Sequence, residues 1–239
     1  MTALLRYQTS IMLRSHRWIF PLIGYALLIA VGAAGSTSLA ETLDWSGAML
    51  VPVVAFLTRA MLTAEPDAAR ACVAAAAGPV RAQFAILIVP LGGGAVLGVA
   101  AAVFDVLTAA AAAKAPASGL AAKVTAAADH PGILAGGLLI ALVCLLVGSA
   151  VGALCNPPLL RHPAAAMLST LAAVVGALAA GVSPASAAIS HTTARAASPL
   201  AANWPGTDAL AGAACLLVLT WAVSVIAATR RDTWSVSSE

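Results

Sequence analysis

The chain has 239 residues, of which 62% are hydrophobic and only 9% charged, with a formal net charge of +3. A soluble globular domain carries about 25% charged residues, so this composition excludes an ordinary soluble protein and specifies an integral membrane one. The cysteines, Cys72, Cys144, Cys155 and Cys215, form no C-x-x-C pair and imply neither a disulfide framework nor a zinc site.

In chain order, residues 1–17 come first and carry Arg6, Arg14 and Arg17. Leu4 and Ile11 are seven apart, as are Leu5 and Met12, so each pair shares a face. This pattern predicts an amphipathic segment lying on the membrane surface, with Trp18 at the interface. The competing reading is a signal peptide with Ser38-Leu39-Ala40 as its cleavage site. The lead-in is long for a basic n-region and the apolar run is long for an h-region, which favours the surface helix.

A membrane span needs about 20 predominantly apolar residues. Six stretches qualify: residues 18–38, 46–63, 83–107, 132–155, 164–183 and 209–229. The fifth is the least hydrophobic, being rich in Ala and Gly. The expected fold is therefore all-α, a single transmembrane domain over 1–239: a surface helix (1–17), spans one and two (18–63), a cytoplasmic segment (64–82), spans three to six (83–229) and a tail (230–239). An even number of spans places both termini on one side. That side holds Arg6, Arg14, Arg17, Arg59, Arg70, Arg81, Arg161, Arg230 and Arg231, and the other holds Lys114, Lys123 and Arg195. The excess of basic residues makes the first side cytoplasmic. The outer connections are then 37–45, with Glu41 and Asp44; 108–131; and 184–208, with His191, Arg195, Trp204 and Pro205. Inside, Asn156-Pro157-Pro158 and Arg161-His162-Pro163 read as a short, stiff turn.

The segment between spans two and three carries helix signals of its own. Pro66 suits a first helical position, and Glu65 and Asp67 suit the positive end of the helix dipole. Residues 68–77 are nearly all strong helix formers. Gly78 fits the left-handed position beyond the helix, and Pro79 stops it. A helix of about three turns is expected, with Arg59, Arg70 and Arg81 in or beside it. It is either a connector or a surface gripped by another protein.

Within the spans, packing in lipid relies on small residues. Gly94-x-x-x-Gly98 and Gly148-x-x-x-Gly152 are such motifs, and Gly176 to Ala180 offers a third surface. Each suits a subunit interface or packing within the bundle, and the second is the commoner use. Pro90 followed by Gly92-Gly93-Gly94 invites a kink or a broken helix. Asp105 is the one acidic residue assigned to a span, either a polar site for cargo or helix pairing, or a hydrated residue near the outer interface. The histidines, His16, His130, His162 and His191, are scattered over span edges and loops and form neither a metal set nor a proton relay.

Enzyme signatures are missing. The sequence has no G-x-x-x-x-G-K-[ST], no H-E-x-x-H and no G-x-S-x-G. The spans are nearly bare of the buried charges that a proton-coupled carrier uses. Uphill transport by this chain would have to draw its energy from a partner. No cofactor and no nucleic-acid partner is expected.

Taken together, the chain resembles the membrane subunit of a type-2 ABC exporter. The resemblance covers the topology of the whole chain, and its motif part is short: Glu65-Pro66-Asp67-Ala68-Ala69-Arg70 and Gly78-Pro79-Val80-Arg81. It implies six spans, an elbow helix over residues 3–17, and a coupling helix that docks on a separate ATPase subunit. Glu65, Pro66, Asp67 and Arg70 would begin the docking surface and Arg81 would close it. A second permease subunit, identical or homologous, would complete the path across a bacterial plasma membrane. One departure is the absence of a large outer domain or of clear re-entrant helices between spans five and six, where 184–208 is polar and Pro-broken; if anything, this points to small hydrophobic or peptide-like cargo. The rival readings are a non-conducting membrane scaffold and, less well founded, an intramembrane enzyme.

Overall fold

A computed structural model describes residues 1–35, 39–112, 131–155, 163–179 and 207–236, and every element among them is an α-helix. The helices are α1 (Thr2–Ser15), α2 (Ile19–Gly35), α3 (Leu39–Leu62), α4 (Asp67–Ala77), α5 (Pro79–Ala112), α6 (Pro131–Leu154), α7 (Pro163–Ala179) and α8 (Thr207–Val236). By length and composition, four segments can cross a membrane: Leu39–Leu62, Pro79–Thr108, Ile133–Leu154 and Ala209–Ala227. The pair α1–α2, bent by 74°, makes a fifth candidate if counted as one span. These are the features of a multi-pass membrane protein. Most of the connections expected at 108–131 and 184–208, the turn at 156–162 and the final three residues lie outside the described residues.

Two helices make the centre. Along α3 and α6 the pairings climb together: Gly137 meets Leu43, Gly47 meets Ile140 and Ala141, Gly148 meets Val51, and Gly152 meets Ala55 and Thr58. The two helices therefore run parallel. On α5 the order reverses, with Gly94 against Val54 and Gly98 against Leu50, so α5 is antiparallel to α3. Helix α2 also opposes α3, since Arg17, just before α2, meets Thr63, while Leu28 and Gly32 meet Trp45. Helix α8 opposes α5, joined by a hydrogen bond from Gln83 Nε2 to Ser224 Oγ (3.0 Å) and an edge-on Phe84–Trp221 contact at 5.9 Å. Leu50, Val51, Val54, Ile140 and Val143 form the driest part of the core.

Several boundaries differ from the sequence expectation. The second span begins at Leu39, so Glu41, Asp44 and Trp45 belong to a helix and not to a loop. Glu41 sits in the first turn of α3, where the helix dipole favours a carboxylate. Trp45 Nε1 donates to the Leu28 carbonyl at 2.8 Å, and its ring fills the space left by Gly32, drawing α3 onto α2. Helix α5 is neither broken at Pro90 nor interrupted at Gly92-Gly93-Gly94. Proline removes only one ladder bond, and Gly94 packs closely against Val54 and Leu145 of the neighbouring helices. Helix α4 does end before Pro79, as expected, but α5 begins at Pro79 itself, four residues ahead of the expected span. Only Gly78, at φ +88°, separates α4 from α5, and Pro79 opens α5, where its missing N–H is no loss.

Candidate docking site around helix α4

Helix α4 is the short, Ala-rich helix expected between the second and third spans. Pro66 caps it in an extended conformation (φ −60°, ψ 148°), so helical geometry begins one residue later than expected, at Asp67. Gly78 N–H donates to the Ala74 carbonyl at 2.9 Å and closes the other end. Ala68, Ala71, Cys72, Ala75 and Ala76 are exposed, spaced three to four apart, and make one face of small side chains. Pro66 and Arg81 are exposed beside that face.

Two of the residues expected on the docking surface turn inward instead. Glu65 is 6% exposed. Its Oε1 accepts from the Tyr7 hydroxyl at 3.1 Å, and its Oε2 accepts from Gln8 Nε2 at 3.3 Å. Gln8 is itself only 1% exposed. Burial, then the Glu65 charge and the hydrogen bond to it, raise the Tyr7 phenol above its ordinary 10.0. Arg70 is half-buried and donates through Nη2 to the Leu62 carbonyl. Arg17 donates through Nη1 to the Thr63 carbonyl at 2.9 Å. Two guanidinium groups thus cap the last carbonyls of α3, where the dipole is negative and the helix has no further N–H to offer.

The arrangement is a clamp. One end of α3 is joined to α1 through Glu65, to the α1–α2 elbow through Arg17, and to α4 through Arg70. At the elbow, His16 adopts φ +54°, a left-handed conformation that histidine tolerates better than most residues, and this turns the chain between α1 and α2. Tyr7 and Gln8 are the partners of Glu65 that sequence reasoning missed. Gln8 lies three residues from Leu5 and four from Met12, so it interrupts the apolar stripe of α1. A lone amide on such a stripe signals a buried partner elsewhere.

The expected intramembrane residues fall inside the bundle. Gly148 and Gly152 lie against the backbone of α3: added β-carbons would stand 2.7 Å from the Val51 carbonyl oxygen and 2.8 Å from that of Ala55. Gly94 and Gly98 face side chains of Val54, Leu145 and Leu50. All four are engaged in packing within this chain. Asp105 is 1% exposed, so it is a buried residue of α5 and not a hydrated one. Its carboxyl meets the Ser46 hydroxyl, while the Tyr25 hydroxyl donates to the Ser46 carbonyl at 3.1 Å. Three helices therefore share one polar cluster. Asp105 Oδ2 has no hydrogen-bond partner among the described residues.

A buried carboxyl with one unpaired oxygen carries a desolvation cost that offsets its hydrogen bond, and its loss strands no donor, because the Ser46 hydroxyl also donates to the Leu43 carbonyl at 3.1 Å. Asp105→Leu is expected to leave the thermal midpoint in detergent within the equivalent of about 1 kcal/mol of wild type. A loss beyond about 2 kcal/mol would make Asp105 a structural clasp instead.

Among the described residues, no group of three or more His, Cys, Asp or Glu side chains is placed to hold a metal ion. No protein-family model, no curated protein and no solved structure matches this chain.

Proposed function

We propose that this chain is the permease subunit of an ATP-driven exporter of the type-2 ABC class, working as a dimer with itself or a homologous chain. The observation that carries the reading is α4, a short helix held at one end of the bundle with a face of small side chains turned outward. Small side chains let a partner's surface approach the helix backbone closely, and the clamp at Glu65, Arg70 and Arg17 makes α4 move with α1 and α3. A push on α4 is then delivered to the central helix of the bundle.

Other features agree. The 74° bend between α1 and α2 suits an elbow helix lying on the cytoplasmic surface. The alternating directions of α2, α3, α5 and α6 fit successive crossings. Met167 of α7 lines the same groove as Arg59 and Thr63, so α7 begins at the α4 end. With α8 returning, six crossings leave both termini in the cytoplasm. The sequence lacks a P-loop, so ATP hydrolysis belongs to a separate subunit. On this reading Glu65 and Arg70 position the docking helix. Ala68, Ala71, Cys72 and Ala75 touch the ATPase, with Pro66 and Arg81 at the margin.

The test is a mild-detergent purification of the tagged protein from its native cells, with co-purifying proteins identified. A stoichiometric subunit carrying a P-loop is expected with the wild type and is lost in Ala71→Arg/Ala75→Arg, which places two large cations on the exposed face. Recovery of a stable complex without any ATPase would replace the permease with a scaffold.

A further inference from the structure

A groove of about 510 Å³ runs between α2 and α3, with Met167 of α7 in its wall. Its sides are apolar, with Phe20, Leu28 and Phe56 among them, and its cations stand at one end. Arg17 precedes α2, and Arg59 lies in the last turn of α3. Among the described residues, no acidic side chain lines it. From Arg17 to Leu28 the chain advances about 16 Å at 1.5 Å per residue, which is about half of a 30 Å hydrocarbon core. The groove is thus about one leaflet deep, with its two guanidinium groups at headgroup level.

We infer that this groove holds one anionic phospholipid, its phosphate between Arg17 and Arg59 and an acyl chain laid along Phe20, Leu28 and Phe56. The charge pattern selects this occupant. A transmembrane helix from a partner would continue past mid-bilayer, whereas the groove stops there. A guanidinium offers five N–H donors in a planar fork that matches phosphate geometry. Arg17 donates its Nη1 to Thr63 and has further N–H groups at the same end. The lipid would therefore touch the residue that caps α3, and its binding would stiffen the elbow.

The experiment titrates full-length protein with phosphatidylglycerol or phosphatidylcholine of identical chains and counts bound lipid by native mass spectrometry. Phosphatidylglycerol is expected to bind about thirtyfold more tightly, the factor contributed by two basic side chains near an anionic headgroup. Arg59→Gln is expected to reduce that preference about fivefold. Gly24 also lines the groove, and a β-carbon added there meets nothing within 4 Å. Gly24→Leu therefore fills the groove without touching either arginine and should lower the affinity for both lipids. Arg6→Gln, on the exposed surface of α1, should change nothing. Equal binding of the two lipids by the wild type would overturn the inference. So would an equal loss in Arg6→Gln, which means diffuse charge, or competition by inorganic phosphate alone, which means a soluble anion.

Discussion

Gly152→Ala is expected to destabilise the bundle by about 2–3 kcal/mol, although glycine to alanine in a helix ordinarily gains about 1 kcal/mol. The β-carbon would stand 2.8 Å from the Ala55 carbonyl oxygen and 3.1 Å from its α-carbon. Those are backbone atoms and cannot rotate away. Helix α3 must retreat from α6, and the retreat loosens the neighbouring contacts of Gly148 and Gly137 as well. Overpacking of this kind costs typically 1–3 kcal/mol, and in lipid there is no hydrophobic force between helices to compensate. Gly148→Ala should behave alike, because it would meet the Val51 carbonyl oxygen at 2.7 Å. Gly94→Ala should cost less, since its contacts are the ends of Val54 and Leu145, and Gly98→Ala less again, with Leu50 at 3.1 Å. Gly92→Ala and Gly176→Ala meet nothing within 4 Å and should gain stability from propensity alone. Thermal midpoints in one detergent would give the order. If Gly152→Ala rises as much as Gly176→Ala, the parallel α3–α6 seam is wrong.

That series marks where sequence stops being informative. Gly94-x-x-x-Gly98 and Gly148-x-x-x-Gly152 have the same spacing, yet one pair faces movable side chains and the other faces a backbone. Spacing places residues on one side of a helix, but what lies opposite depends on the partner helix and its register. Long apolar runs were legible because their lengths are set by the membrane; α3, α5, α6 and α8 lie where hydropathy puts them. The start of α3 was not, because Glu41, Asp44 and Trp45 look like loop residues until the dipole position and the Leu28 carbonyl account for them. Helix α4 was legible from its own caps. The direction in which Glu65 points was not, since a carboxylate before a helix looks the same whether it faces solvent or a buried Gln8. Asp105 was legible as a lone carboxyl within a span, but its burial depended on Tyr25 and Ser46, distant in sequence.

Removing the Glu65 carboxyl should release α1 while leaving the helical core intact. In Glu65→Ala, Gln8 Nε2 keeps its buried position and loses its acceptor, at a cost of about 1–3 kcal/mol for a stranded donor. Tyr7, partly exposed, can turn to water and adds little. Backbone amides of α1 should then exchange hydrogen about 5 to 150 times faster, the range that this free energy implies, while those in the α3–α6 seam stay as slow as before. Gln8→Leu/Glu65→Leu provides the control. With both partners apolar nothing is stranded, and exchange in α1 should return towards wild type. Unchanged α1 exchange in Glu65→Ala would mean that the contact carries no weight. The outcome also bears on the permease reading. There, Glu65→Ala/Arg70→Ala should insert normally yet fail to couple ATP hydrolysis, because α4 has lost its attachments to α1 and to the Leu62 carbonyl. Ala71→Arg/Ala75→Arg should lose coupling as well, with α1 exchange still slow. One variant loosens the lever and the other blocks its contact with the ATPase. If both pairs couple normally, α4 is only a connector; if only the surface pair fails, docking does not depend on the clamp.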